Sequence, residues 1–371
     1  MKILVINWQD IKNPSGGGAE VHFHEIFKRI VAMNHSVTLF CSRFEGAPTE
    51  ETIDGIKVIR QGSRNLFNFY VPIRYFKQFR KENYDIIIDD INKIPFYTPL
   101  YVKEPLLAIS HHFFGKSIFP EAGIIAGSYV YLSEKIIDYV YKKTPFAVVS
   151  QSTKDEFLSR GFLEDLFSMV PNAITPEDFP MKIGQKESFP LITYFGRMKK
   201  YKSVHHLVKA FAIISKQLPQ AQLYLIGKGD YQPELEKLAK ELNISEKTTF
   251  WGYVSENEKR RLLSLSHCVV NTSMKEGWGI TNIEANACGA PVISANVPGL
   301  RDSVSEGLSG LLYEYGDINQ LADIIIRFFA DKDLQNKLYN GSIAWAKQFT
   351  WDESAKLMIA KCNDVISKSK N

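Results

Sequence analysis

The sequence predicts an α/β protein made of two parallel-sheet halves, and three observations support this fold class. The chain has 371 residues, enough for two domains of about 150 residues or more, each with its own core. Its composition is that of an ordinary globular protein, 45% hydrophobic and 23% charged. Short continuous apolar runs alternate with amphipathic stretches, a pattern typical of buried parallel strands joined by helices.

The apolar runs fall into two sets, which give the predicted domains. The strands predicted in the first set are 3–6, 36–41, 56–59, 84–88, 106–109 and 146–149. Those predicted in the second set are 191–195, 222–226, 248–250, 268–271 and 291–294. A stretch at 171–190, rich in proline, glycine and charge, separates them. We therefore expect domains at 1–180 and 181–352, followed by a helix at 353–371 that could pack back on the first domain.

Charge and cysteine content exclude several classes of protein. The formal net charge is only +4, too small to indicate a nucleic-acid partner. The four cysteines lie far apart and form no Cys-x-x-Cys, so neither a zinc site nor a disulfide framework is expected. The apolar N-terminus is too short for a signal peptide, and no apolar run could span a bilayer. These features favour a cytoplasmic protein.

A glycine-rich loop follows the first strand. Gly16-Gly17-Gly18 comes directly before a helical pattern, where uncovered amides and the positive helix end could bind an anion. A dinucleotide-binding loop is one alternative, but Val21 follows in place of a third glycine, and the second strand has no ribose-binding acid after it. A purely structural turn is the other. The loop is a candidate phosphate site.

Cations follow the first strand of the second half. Arg197 and Lys202 come just after 191–195, at the strand end where α/β sheets open their ligand crevice. An arginine fork binds two phosphate oxygens and a lysine adds a point charge, so the pair could offset charge on a departing phosphate. Lys199 and Lys200 fit a solvated basic turn.

Two acids enclose a second glycine-rich loop. Glu276 and Glu284 stand eight residues apart on either side of a predicted helix start. Glu276 could face the sugar of a ligand, and Glu284 another pair of hydroxyls. Free amides between them would point at phosphate, from Gly277, Trp278, Gly279 and Ile280. A dipole partner or cap is the alternative role for an acid at this place.

Five motifs together resemble the signature of retaining GT-B glycosyltransferases of family 4. They occur in the family's order and cover residues 1 to about 352. They are Gly17-Gly18-Ala19-Glu20, Gly196-Arg197-x4-Lys202, Gly227-Lys228-Gly229, Gly252-Tyr253, and Glu276-x7-Glu284 with the following Ala285-x-Ala287-Cys288-Gly289-Ala290-Pro291-Val292-Ile293. Five linked motifs are far more specific than any one of them.

The resemblance implies two Rossmann-like domains that face each other across a cleft, with the donor, a UDP- or GDP-sugar, held mainly by the second. By this analogy Arg197 and Lys202 bind the diphosphate, and Glu284 binds the ribose hydroxyls. The strand end at Gly252 and Tyr253 lies against the base. No separate cofactor is implied.

The resemblance also assigns the sugar-binding groups. Glu276 and the amides of Gly277 to Ile280 would hold the transferred sugar, and Gly17 and Gly18 would close onto the phosphates. The family places a histidine after a first-domain strand, where this chain offers His111 and His112. We assign the donor-positioning role to His111. A histidine satisfied at the end of a buried strand is the alternative.

The resemblance implies a reaction without a protein nucleophile, and we expect no metal dependence. Retention is usually explained by front-face substitution, in which the leaving phosphate accepts the acceptor proton. Asp331-x-Asp333 precedes a helical pattern, so it is expected to cap a helix rather than bind a metal. The chain departs from the family at Tyr201 (often acidic), at Ser203 (usually glycine) and at Pro298-Gly299-Leu300-Arg301-Asp302, which replaces Gly-Gly-x-x-Glu. These departures concern the donor loop and sugar preference.

The acceptor is the part that the sequence defines least. Segment 65–81 interleaves aromatic residues with cations, as a membrane-surface element or a packed helix with solvated cations would. We expect a hexose-type transfer to a glycan, lipid-linked or other hydroxyl acceptor in cell-surface polysaccharide or glycolipid synthesis, in the cytoplasm or at the inner face of the membrane. The alternatives are a nucleotide-sugar epimerase, for which no paired acid and base groups are evident, and a non-catalytic nucleotide-sugar-binding protein.

Overall fold

The computed structural model describes residues 1–91 and 94–370, which divide into two compact units. Unit 1 comprises Met1–Asn172 and Trp351–Asn371, and unit 2 comprises Ala173–Thr350. Each unit contains one sheet with helices packed against it. The predicted α/β class, with two parallel-sheet halves, is confirmed.

Unit 1 is built on an eight-stranded sheet in the order β3-β4-β2-β1-β5-β6-β7-β8. Its strands are β1 (Lys2–Ile6), β2 (Ser36–Cys41), β3 (Glu50–Ile53), β4 (Ile56–Arg60), β5 (Ile86–Ile91), β6 (Leu106–Ser110), β7 (Phe146–Val148) and β8 (Phe167–Met169). Its first four helices are α1 (Gly18–Ala32), α2 (Phe67–Lys77), α3 (Phe119–Val140) and α4 (Gln151–Ser159). The strand order reverses between β1 and β5, and such a reversal opens a ligand crevice at the carboxyl ends of the strands.

The strands of this sheet pair in parallel, with one exception. β3 and β4 form an antiparallel hairpin whose turn residues, Asp54 and Gly55, both have positive φ. β3 was not predicted because Glu50–Ile53 is polar and lies half-exposed at the sheet edge. β8 was missed as well, since three residues are too few for a recognisable apolar run.

Unit 2 is built on a six-stranded parallel sheet in the order β11-β10-β9-β12-β13-β14. Its strands are β9 (Leu191–Phe195), β10 (Gln222–Ile226), β11 (Thr248–Gly252), β12 (Cys268–Asn271), β13 (Val292–Ala295) and β14 (Gly310–Tyr313). Its helices are α5 (Val204–Gln217), α6 (Gln232–Glu241), α7 (Glu256–Leu265), α8 (Ile280–Ala287), α9 (Ile318–Ala330) and α10 (Lys332–Ala346). The order reverses between β9 and β12, which places a second crevice there.

The last helix, α11 (Trp351–Ser369), belongs to unit 1. Arg29 on α1 donates to Asp352 at 2.5 Å, and the Ser354 hydroxyl donates to the Pro171 carbonyl at 2.9 Å. Among the described residues, 1–91 and 94–370, no helix is long and apolar enough to cross a bilayer.

Two local expectations have clear outcomes. Asp331 caps α10, because its carboxylate accepts the Leu334 amide at 2.9 Å, so the predicted cap is confirmed. His22 and His24 have no ligand-like spacing with carboxylates or cysteines, so the sequence predicts that they lie on the surface or at the core edge. For His22 this is wrong: the side chain is completely buried, and its Nε2 donates to the Val170 carbonyl at 3.0 Å.

Candidate functional site

Three of the predicted residues meet in the crevice of unit 2, at the carboxyl ends of β9 and β12. Arg197 follows β9 and remains exposed, with its guanidinium 3.3 Å from the Tyr201 hydroxyl. Lys202 ends the same loop, and Glu276 follows β12. The sequence separates Lys202 from Glu276 by 74 positions, and the strand reversal brings them into direct contact.

Lys202 and Glu276 form an ion pair that is largely shielded from solvent. The Lys202 Nζ donates to the Glu276 carboxylate. Burial alone would lower the pKa of Lys202, but the Glu276 carboxylate outweighs it and raises the pKa, while the Arg197 charge opposes it. Lys202 therefore stays charged, and Arg197 lies close enough for its charge to be felt at the pair.

The Glu276 loop is held by the segment where the chain departs from the family pattern. The Glu276 amide donates to the Pro298 carbonyl at 3.4 Å. Gly299 has φ +80°, and a Cβ there would collide with the Glu276 carbonyl oxygen. Pro298-Gly299 thus fixes the backbone of the acid, and a larger residue at 299 would displace it.

Three of the four amides that the sequence predicts to be free before α8 lack a protein acceptor among the described residues. In the described part of the chain, the amides of Gly277, Trp278 and Gly279 have no protein acceptor. The sequence also predicts a free amide at Ile280, and this is wrong: it donates to the Trp278 carbonyl at 3.0 Å, because Gly279, with φ −82° and ψ 66°, forms an inverse γ-turn just before the helix.

The buried side chain of Asn282 fixes the start of α8 by hydrogen bonds to neighbouring elements. This side chain is buried, donates to the Ser303 hydroxyl at 2.8 Å and accepts from Asn271 at 3.2 Å. A Cβ at Gly279 would collide with the same Ser303 hydroxyl. The free amides therefore lie on a rigid support, which suits a bound anion.

Glu284, the second acid, has a partner that the sequence did not reveal. Lys259 on α7 donates to the Glu284 carboxylate at 2.9 Å and to Glu256 at 2.6 Å. Burial raises the pKa of Glu284, and the Lys259 ammonium partly offsets this. Lys259 also lies 5.1 Å from the ring centre of Phe195, so this second ion pair sits beside the end of β9.

Glycines let the ends of β9, β10 and β11 approach closely. A Cβ at Gly227 would collide with the Gly196 carbonyl, and the Gly227 amide donates to the Gly252 carbonyl at 2.8 Å. Gly252 itself has φ +66°. Tyr253 follows it with a side chain 78% exposed, free to cover a flat ring at this strand end.

In unit 1 the glycine loop is the N-terminus of α1. Gly17 and Gly18 are exposed, and a Cβ at Gly18 would have open space around it. The Gly17 amide is not free, because the buried Glu20 carboxylate accepts it at 2.6 Å. Burial raises the pKa of Glu20. Glu20 was predicted only as part of a motif, and the structure shows that it orders this loop.

His111 lies at the end of β6 and is held by two buried polar residues. Its Nε2 donates to Asp90 at 3.0 Å, and the other Asp90 oxygen accepts from Asn7 at 3.0 Å. His22 packs edge-on against the His111 ring at 5.1 Å between centres. Burial and the neighbouring His111 lower the pKa of His22 to about 3, so His22 is neutral. Because a carboxylate only accepts, the Asp90 contact places a proton on His111 Nε2.

The structure thus supplies three residues that sequence reasoning missed or left open: Lys259, Glu20 and Asp90. Asp90 lies near the end of β5, where the sequence alone is compatible with an acceptor contact or with a solvent position at the sheet end. It is neither exposed nor unpartnered. No local pattern marks Lys259 or Asp90, because each acts on a group that only the fold brings near. Glu20 differs, because it belongs to a predicted motif and bonds Gly17 only three residues away.

Comparison with known proteins decides the family. The model of Glycosyltransferase Family 4 matches residues 16–178, and that of Glycosyl transferases group 1 matches residues 176–345. The chain belongs to the family 4 glycosyltransferases. The resemblance drawn from the five motifs is thereby confirmed.

One curated relative and several solved structures match this glycosyltransferase over nearly its whole length. An uncharacterized glycosyltransferase of Methanocaldococcus jannaschii is 25% identical over 378 residues, covering 96% of both chains. Sucrose-phosphate synthase from Thermosynechococcus elongatus has a TM-score of 0.79 at 22% identity, with 99% of each chain covered. Anabaena HepE in complex with UDP-glucose has a TM-score of 0.73 at 19% identity, covering 97% of this chain and 99% of that one. These solved structures confirm the GT-B fold.

Proposed function

We propose that this glycosyltransferase moves a hexose-type sugar from a nucleotide-diphosphate sugar to a hydroxyl acceptor with retention of configuration. The observation that carries the proposal is the meeting of Arg197, Lys202 and Glu276 at the strand reversal of unit 2. The two cations suit the diphosphate of the donor, and the acid suits its sugar.

The ion pairs define what donor binding must do. Lys202 is occupied by Glu276 in the free protein, so an incoming diphosphate would compete with Glu276 for the ammonium. Glu276 would then turn to the hydroxyls of the transferred sugar, next to the free amides of Gly277 to Gly279. The Lys259 ammonium favours the ionised form of Glu284, which would accept hydrogen bonds from the ribose hydroxyls.

The chemistry proposed is electrostatic rather than covalent. As the sugar–phosphate bond breaks, negative charge grows on the diphosphate, and Arg197 and Lys202 are placed to stabilise it without a metal. The departing phosphate oxygen accepts the acceptor's proton, so no protein nucleophile is needed. His111, fixed in one tautomer by Asp90, takes the role of positioning the donor.

UDP is the nucleotide we assign first, since HepE is solved in complexes with UDP and UDP-glucose. Tyr253 and Gly252 would cover the base. We propose a glycan or lipid-linked acceptor, in cell-surface polysaccharide or glycolipid synthesis at the cytoplasmic face of the membrane. We propose no nucleic-acid partner.

The test is a panel of UDP- and GDP-sugars incubated with the purified protein. We expect slow release of free nucleoside diphosphate from one of them, and faster release with a suitable acceptor. Arg197→Ala should lower this release by roughly 100-fold or more. Lys199→Ala is the matched control, because Lys199 lies on the same loop but pairs with the exposed Asp230 at 2.7 Å.

The same panel separates the competing functions. An isomerised sugar would indicate an epimerase, and tight binding without any product would indicate a nucleotide-sugar-binding protein. Normal release by the Arg197 variant would contradict the assignment of the diphosphate site.

A further inference from the structure

We propose that two exposed apolar stripes, on α2 and α3 of unit 1, form a surface that binds an anionic lipid bilayer. The proposal goes beyond the transfer reaction and does not depend on it. It extends the sequence-based expectation for segment 65–81 to a second helix that the sequence analysis did not single out.

The stripe on α3 follows the break in the helix at Gly123, where φ is +73°. Its five residues are spaced by four, three, four and three positions, so they lie along one side of the helix. Each is between 44% and 90% exposed: Ile125, Tyr129, Leu132, Ile136 and Tyr139. The opposite side packs into unit 1 through Val130, Ser133 and Ile137. Five large apolar side chains in one row on a solvent face are unusual for a soluble surface.

The stripe on α2 has the same spacing. Phe69, Ile73 and Phe76 are 49% to 60% exposed, while the face that carries Phe67, Val71 and Tyr75 is buried in the core. α2 therefore has two apolar faces. One is buried in the core, and the other is exposed. The Asn68 side-chain amide donates to the Tyr129 hydroxyl at 3.4 Å, so the start of α2 lies beside the middle of α3.

The charges around the stripes are positive. Residues 64–81 contain no acid, and the exposed cations there include Lys77, Arg80 and Lys81. On α3 Lys135 is exposed, and Lys143 follows just after the helix. Arg74 has an acid nearby, Glu50 on β3 at 4.0 Å.

α3 carries three acids. Glu121 precedes the break at Gly123 and the stripe that follows it, and the other two do not cancel the charge along the stripe. Glu134 is buried and accepts the amides of Phe114 and Gly115 at 2.6 and 2.8 Å. Asp138 is paired with Arg160 at 2.6 Å. The surface thus offers apolar and aromatic groups together with cations, the combination that anionic interfaces attract.

Charge also distinguishes a bilayer from a second copy of the chain. A symmetric dimer through the stripes would set Lys77, Arg80, Lys81 and Lys135 against the same cations of its partner. Anionic headgroups instead neutralise these cations while the acyl region takes the apolar side chains. The observations therefore favour lipid.

The experiment is vesicle flotation of the full-length protein without donor or acceptor, so its result is independent of the transfer assay. We expect binding to vesicles of phosphatidylcholine with phosphatidylglycerol and much weaker binding to phosphatidylcholine alone. Lys77→Gln/Arg80→Gln/Lys81→Gln should weaken binding roughly 100-fold, at about fivefold for each charge. Ile125→Ser/Leu132→Ser should weaken it by at least about tenfold.

Matched controls lie outside the surface. Leu163→Ser removes an exposed leucine elsewhere in unit 1, and Lys237→Gln removes an exposed cation of unit 2. Both should bind like the unaltered protein, and circular dichroism melting should show all variants folded. Absence of flotation with anionic vesicles would overturn the proposal, as would flotation unchanged in both surface variants. A third outcome would also overturn the proposal: the protein does not bind vesicles, light scattering shows a dimer, and Ile125→Ser/Leu132→Ser converts that dimer to a monomer. The surface would then bind a second copy of the chain instead of lipid.

Discussion

Glu276→Gln should separate donor binding from donor turnover. In the free protein the Lys202 ammonium donates to the Glu276 carboxylate, and both side chains are less than a fifth exposed, at 15% and 18%. A diphosphate that uses Lys202 must displace that carboxylate. The glutamine keeps the shape of the loop but removes the competing charge.

The expected magnitudes follow from this competition. A hydrogen bond to a charged group contributes about 1.5–3 kcal/mol. Because the pair is partly exposed, only part of that free energy is gained in UDP binding when the Glu276 charge is removed. We therefore expect UDP to bind more tightly by about 1 kcal/mol, or roughly fivefold. Turnover should fall by roughly 100-fold, because the neutral amide cannot hold the transferred sugar as the carboxylate does.

Isothermal titration with UDP and steady-state release from the active donor measure the two quantities. Glu234→Gln, which neutralises an exposed acid on α6 of the same unit, is the control and should change neither. Weaker UDP binding together with normal turnover would refute the reasoning, since it would mean that Glu276 neither competes for Lys202 nor meets the sugar.

Three further predictions concern unit 1 and the strand ends. Burial, more than the nearby Asp90 charge, raises the pKa of Asp89 from 3.8 to about 6. The protonated acid therefore stabilises the fold fully below pH 3.8, and this contribution is lost as pH rises through 6. In urea unfolding, the unaltered protein should lose about 2 kcal/mol relative to Asp89→Asn between pH 4.5 and 7, and parallel pH profiles would contradict this. Asp90→Asn should lower kcat by at least about tenfold with UDP affinity unchanged, because His111 loses the carboxylate that fixes its tautomer; an unchanged kcat would argue against a role for His111. Gly227→Ala should cost about 2 kcal/mol or more in urea unfolding, since φ is +128° and the new Cβ meets the Gly196 carbonyl. Gly184→Ala, which meets only ordinary contacts, should cost less, and equal stabilities would show that the strand ends can move apart.

The parallel strands could be predicted because buried strands are nearly continuous apolar runs. β9, β10 and β12 begin and end where the sequence predicts. β14 was missed although it is mostly buried, because it begins with Gly310, a weak strand former. The glycine is needed there, since a Cβ would collide with the Val292 carbonyl of β13. The need for glycine at such a position comes from packing against a neighbouring strand, and a single sequence does not show that packing.

The same limit applies to the candidate site. Arg197, Lys202, Glu276 and Glu284 could be singled out because their spacing around strand ends follows a known pattern. Lys259 could not, because its link to Glu284 crosses from α7 to α8, and nothing near position 259 signals a ligand site. Asp90 and His111 likewise meet only because β5 and β6 are neighbours in the sheet.

Hydrogen exchange of the full-length protein, with and without saturating UDP, tests the donor site most directly. The account predicts slower amide exchange at 196–203, 252–253 and 277–281, the strand ends and the helix start of unit 2. Unchanged exchange in all three segments at a UDP concentration that titration shows to be saturating would contradict it.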